Sequence, residues 1–83
     1  MQPEKKFKAG AISVTVWKNE AMKDKKKFEY HTVNLERNYK DKVGKWQTTN
    51  TLRIADVPKA AMLLNKCYEF LTMQEEVETE EIY

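Results

Sequence analysis

From Phe28 to Lys40 the chain alternates without a break: His31, Val33, Leu35, Arg37 and Tyr39 fall on one side, Phe28, Tyr30, Thr32, Asn34, Glu36 and Asn38 on the other. A period of two over that length fits a strand and no helix, and Asp41-Lys42-Val43-Gly44 directly after it has the composition of a turn. If those four residues close a hairpin, Lys45 pairs with Lys40, Tyr39 with Trp46, Arg37 with Thr48, Leu35 with Asn50 and Val33 with Leu52. Like faces then stay together. One face has an apolar base of Val33, Leu35, Leu52 and Ile54 rising to Tyr39 and Trp46. The other carries Thr32, Asn34, Gln47, Thr49 and Thr51 with Phe28, Tyr30 and Arg53.

An earlier strand is predicted from Ala11 to Trp17, where Ile12, Val14 and Val16 alternate with Ser13, Thr15 and Trp17. Ala9-Gly10 before it suggests a bend that makes Lys5 to Lys8 a separate short strand. Asn19 to Lys27, in which four of nine residues are lysine, has no period and is expected to be an exposed loop. Asp56 and Pro58 mark a helix start, the carboxylate capping free N–H groups and the proline sacrificing no intrahelical bond, and the helix is expected to run to about Met73. The fold class is therefore α+β: a twisted antiparallel sheet of three or four strands followed by one long C-terminal helix. It forms one domain over residues 1–74, with an acidic tail, expected to be disordered, over 75–83.

On that helix Val57, Ala60, Ala61, Leu64, Tyr68 and Leu71 form one stripe, and Leu63, Cys67 and Phe70 widen it to about half the circumference, more than the ~100° a sheet-covering helix requires. A chain of 83 residues is also close to the size at which one core suffices. A homodimer is expected, with Leu63, Cys67, Phe70 and Leu71 at its contact.

The net charge of +2 conceals an asymmetry: residues 1–53 carry 13 lysines and arginines against six acids, residues 54–83 two against seven. A basic body attracts polyanions, while a run of glutamates stays solvated. Catalysis has little to work with. There are two glycines, no serine besides Ser13 and one histidine, His31, and the one cysteine, Cys67, reads as a small apolar residue of the helix. No enzyme activity, metal site or cofactor is expected. No run approaches a membrane span, so a cytoplasmic or nucleoid-associated protein is expected.

Binding has more support. Trp17, Phe28, Tyr30, Tyr39 and Trp46 interleave with Lys18, Arg37, Lys40, Lys42, Lys45 and Arg53. Rings on a β-surface among Thr, Asn and Gln, with cations at the rim, suit single-stranded nucleic acid: unpaired bases stack on the rings and the cations take phosphates. Tyr39 and Trp46 could equally be a cross-strand pair that steadies the hairpin. Two further functions stay open: a protein–protein adaptor or inhibitor using the aromatic hairpin tip and the acidic tail, and a small binder of double-stranded DNA.

Leu35-Glu36-Arg37-Asn38-Tyr39-Lys40-Asp41, and Leu52-Arg53-Ile54 followed by Asp56 and Pro58, resemble elements of the positive cofactor 4 family of transcriptional coactivators and its whirly-type relatives. Those proteins bind single-stranded DNA as dimers. With Ile12 to Trp17 as the earlier strand, the resemblance covers about residues 7–71. It implies a DNA-contacting strand arginine at Arg37, a basic hairpin at Lys40, Lys42 and Lys45, dimerisation through the helix, and a role in transcription, replication or repair. Where the family has a tryptophan after the tyrosine, this chain has Lys40, which shifts the expected stacking to Trp46 or Trp17. The end Glu80-Glu81-Ile82-Tyr83 resembles the acidic tails of bacterial single-stranded-DNA-binding proteins, which implies a protein partner for the tail or competition with DNA for the basic sheet.

Overall fold

The structure, a computed structural model, describes residues 1–73. Its order is β1 (Gln2–Ala9), β2 (Ile12–Lys23), β3 (Lys26–Lys40), β4 (Trp46–Thr49), a single 3-10 turn (Ile54–Asp56) and α1 (Val57–Thr72). The four strands form one antiparallel meander in sequence order, and the α+β class holds. The tail predicted over 75–83 lies outside the described residues. Among those described, no helix is long and apolar enough to cross a membrane.

The β2–β3 pairing runs in unbroken register from Ile12 opposite Arg37 to Lys23 opposite Lys26. The stretch Asn19 to Lys27 is therefore not a loop. Both strands continue through it to a two-residue turn, Asp24-Lys25, whose residues have φ of 53° and 65°. Positive φ at both central positions matches the right-handed twist of the flanking strands, and it lets the pairing continue through a polar segment that buries nothing. Gly10, at φ 61°, makes the β1–β2 connection, and β1 shifts register between Pro3 and Lys5.

The β3–β4 hairpin forms one residue away from the expected register: Lys40 pairs with Trp46, Tyr39 with Gln47, Asn38 with Thr48 and Arg37 with Thr49. The cause lies in the turn. Gly44 N–H donates to Asp41 O (3.1 Å) while Asp41 N–H donates to Lys45 O (2.9 Å), with Gly44 at φ 86°. Gly44 and Lys45 together face Asp41, a glycine-led bulge that adds one residue to the returning strand. Asp41 Oδ1 fixes this loop by accepting from Val43 N–H (3.0 Å) and Lys45 N–H (2.9 Å). A one-residue shift moves every β4 side chain to the opposite face. The pairings Leu35–Asn50 and Val33–Leu52 do not form, because β4 ends at Thr49 and the Asn50 side chain caps Leu35 O instead (2.6 Å). Ile54 is not part of an apolar base; it is 91% exposed.

One sheet face carries the core. Ile12, Val14 and Val16 are fully buried beneath Ala60, Leu63 and Cys67, with Phe7, Ala9, Leu35, Leu52 and Leu71 packed around them. The helix thus turns toward the sheet the residues assigned to a dimer contact. Leu63 and Cys67, 3% and 2% exposed, are interior to the single chain; Leu71 packs on the same core and Phe70 meets Phe7 edge-on, ring centroids 6.2 Å apart. Small side chains at 60 and 67 let the helix approach β2 closely. Val57, Leu64 and Tyr68 face outward instead.

Candidate nucleic-acid interface

Alternation and pairing register sort the side chains of the sheet onto two faces. On the helix side, β3 carries His31, Val33, Leu35, Arg37 and Tyr39. The open side carries Trp17 of β2, Phe28, Tyr30 and Lys40 of β3, and Trp46 of β4. Five of the predicted binding residues therefore share one face.

The open face has a definite layout. Phe28 and Tyr30, both exposed, lie at one end with ring centroids 6.0 Å apart. Trp17, paired with Thr32, comes next and is half-buried, its indole N–H without a hydrogen-bond partner among the described residues. Thr15, Asn34 and Asn38 line the middle, with Asn19 tied to Thr32 by an Nδ2–Oγ1 hydrogen bond of 3.0 Å. At the far end Trp46 is 68% exposed, Lys40 Nζ lies 5.5 Å from its ring centroid, and a cleft of about 440 Å³ opens between Trp46, Asn38, Lys8, Gly10 and Ala11. From Phe28 to Lys40 the face extends roughly 40 Å at ~3.3 Å per residue.

The charges divide unevenly. Lys6 and Lys8, opposite Thr15 and Ser13, share the open face with Lys23, Lys26 and Lys40, and Glu36 is its one carboxylate among the paired residues. Glu20 and Glu29 fall on the helix side. There Glu29 is 3.3 Å from Lys18 Nζ, and Glu4 reaches His31 Nε2 at 2.8 Å. Lys6, Lys8, Lys23 and Lys26 escape the sequence reading because a short separate strand and a loop assign them no face. Recognising Asp24-Lys25 as a tight turn would have recovered the last two.

The remaining predicted residues lie elsewhere. Lys18 is on the helix side with Glu29, and Lys42 and Lys45 belong to the β3–β4 turn beside Trp46. Arg37 is also on the helix side, its ring partner Tyr39 at 5.5 Å and its Nε donating to Thr51 O at 3.0 Å. Arg53 lies outside the strands and clasps Asp56 through Nε (3.1 Å) and a terminal guanidinium nitrogen (3.3 Å), with Arg53 N–H adding a third bond of 3.0 Å. These bonds hold the Asp56 carboxyl below the usual carboxylate range, Arg53 contributing most, and raise the already high pKa of Arg53. Asp56 turns back to Arg53 and makes no capping bond to α1, contrary to its predicted role. The Asp41 carboxyl is likewise lowered, first by the Lys45 N–H and then by the Gln47 side chain.

Among the described residues no three His, Cys, Asp or Glu side chains gather as a metal site. No protein family, curated protein or solved structure compared with the chain matches it.

Proposed function

We propose that this chain is a non-catalytic binder of single-stranded nucleic acid with low sequence specificity, and that the open face of the sheet is its binding surface. One observation carries this reading: among the described strand-paired residues, four aromatic residues and five lysines share that face with a single carboxylate, while Glu20 and Glu29 fall on the other side. Rings offer a stacking surface to any base, at about 1–3 kcal/mol per base, and lysines neutralise phosphates without reading sequence. Thr15, Asn34 and Asn38 supply polar edges between the rings. The cleft at Trp46 has room for a splayed base stacked on the indole, with Lys8 and Lys40 at its margins. A duplex hides its base faces and gains nothing from the rings.

Kinship with the positive cofactor 4 family is part of this proposal, with a different role for Arg37, which here braces the helix start. We further propose a homodimer, made by the outer side of α1 and not by Leu63 and Cys67. Ile54, Val57, Leu64 and Tyr68 form an exposed apolar strip, and Val33 and Tyr39 on the helix side of β3 are exposed as well, α1 being packed over β1 and β2. The same strip from a second copy is self-complementary and covers both.

Fluorescence anisotropy with a labelled single strand of about 20 bases, against the matched duplex and over a salt series, tests the binding proposal. The expected result is single-strand preference with a log–log salt slope of about −0.7 per phosphate neutralised. Absence of binding to either form at low salt overturns it and favours the adaptor reading.

A further inference from the structure

The β2–β3 hairpin outruns its neighbours. Pairing with β1 ends at Lys18, and β4 reaches only Arg37 to Lys40, so residues 19–30 form a two-stranded ribbon projecting roughly 17 Å from the sheet, in a molecule 54 Å along its longest axis and 18 Å along its shortest. A ribbon without a third strand or a core gains little from folding. Its tip adds two local costs. Lys23 and Lys26 are directly opposed, a destabilising like-charge pair, and Lys25 holds φ 65° where glycine fits without penalty. An anion across the tip relieves the first cost.

The ribbon keeps its strand carboxylates on one side, the side that also holds Lys27. Lys23, Lys26, Phe28 and Tyr30 continue the open face, whereas Glu20 and Glu29 point to the helix side. We infer that the ribbon is a phosphate clamp that extends the single-stranded tract beyond the sheet, Lys23 and Lys26 contacting the backbone, Lys25 at the turn adding charge, and Phe28 with Tyr30 carrying the stacked path outward. This rests on the binding function proposed above, and it adds a length dependence that the sheet alone does not require. The tip sets the ammonium groups of Lys23, Lys25 and Lys26 around the one carboxylate of Asp24, so its net charge is positive and its contacts to phosphate are independent of sequence.

The test compares oligothymidylates of about six and about 20 bases, and a single-strand/duplex junction, on the full chain and two variants. Lys23→Gln with Lys26→Gln is expected to weaken the long strand about tenfold, to weaken the short strand by a smaller factor, and to reduce the long-strand salt slope by about 1.4. Lys25→Gly relaxes the turn, so its thermal stability is expected to equal or exceed that of the parent while long-strand affinity still falls; lost affinity in a chain at least as stable separates a charge contact from a folding defect. If both variants bind the long strand as the parent does, the clamp is overturned and the sheet site stands. A loss confined to the junction assigns the ribbon to duplex and also overturns the clamp. If the parent binds no strand, the underlying function fails and the clamp with it.

Discussion

Arg37 and Asp56 join the third strand to the start of the helix: Arg37 Nε lies 3.6 Å from Asp56 Oδ2, in side chains 16% and 4% exposed. Arg53 closes the carboxylate from the other side, and Thr51 O takes the Arg37 N–H. An arginine held this way has a structural task. Arg37→Gln is expected to destabilise the fold by about 1.5–3 kcal/mol in urea unfolding, the range for a lost hydrogen bond involving a charged group. The salt slope of nucleic-acid binding should stay unchanged. A slope reduced by about 0.7 with stability intact would instead return Arg37 to the phosphate contacts.

The same carboxylate sets an acid limit. Its folded pKa lies below the unfolded value of about 3.9, so its contribution is fully present above that value and is lost as pH falls through the folded pKa. Asp56→Asn should therefore be less stable than the parent at pH 7, and the gap should narrow on acidification below about pH 4. Urea unfolding of both proteins across that range checks it; a constant gap would show that charge is not what Asp56 contributes.

Stacking is tested at Trp46 and Tyr39, neighbours along the hairpin on opposite faces. Trp46→Ala should weaken single-strand binding by about 1–3 kcal/mol, from fivefold to more than a hundredfold, whereas Tyr39→Ala should leave it within about twofold. Trp46, the more exposed indole, should also supply most of the tryptophan quenching on binding. Equal losses at both positions would dissolve the distinction between the faces.

Much of this arrangement was readable in the chain because β-branched alternation at Ile12, Val14 and Val16, and Pro58 after Asp56, are local signals with strong physical causes. What escaped was set by single residues acting at a distance from the pattern. Gly44 adds a bulge that the count of turn residues does not reveal, and Trp46 changes face with it. Asp24 and Lys25 adopt left-handed backbone without the glycine or asparagine that would announce it, so a paired ribbon resembled a loop. The helix has apolar residues on both sides, and periodicity could not choose between Leu64 and Leu63 for the core. That choice followed from the bracing at Asp56 and the small residues Ala60 and Cys67.

Cys67 reports on the core directly. It is 2% exposed, and burial pushes its thiol pKa up. Folded protein at pH 8 should react with a thiol reagent at a rate set by unfolding, and Leu63→Ala, which opens a cavity beside it at a cost of about 2–5 kcal/mol, should speed labelling in proportion. Rapid stoichiometric labelling of the parent would mean that the helix does not cover β2 as described.

The outer strip of α1 makes the assembly testable apart from the core. Leu64→Glu and Tyr68→Glu place a charge where Ile54 and Val57 leave an apolar surface, and neither residue is part of the chain's own buried core. Sedimentation velocity over a concentration series should show a dimer for the parent and a monomer for these variants, with circular dichroism unchanged. Leu63→Glu should instead abolish folding, since its side chain would enter the space beneath the helix against Val14 and Val16. Because a dimer doubles the number of open faces, its loss should weaken a strand of about 20 bases more than one of about six, through lost multivalency. A parent that sediments as a monomer at every concentration would leave the strip to a different protein and remove the second copy from the proposal.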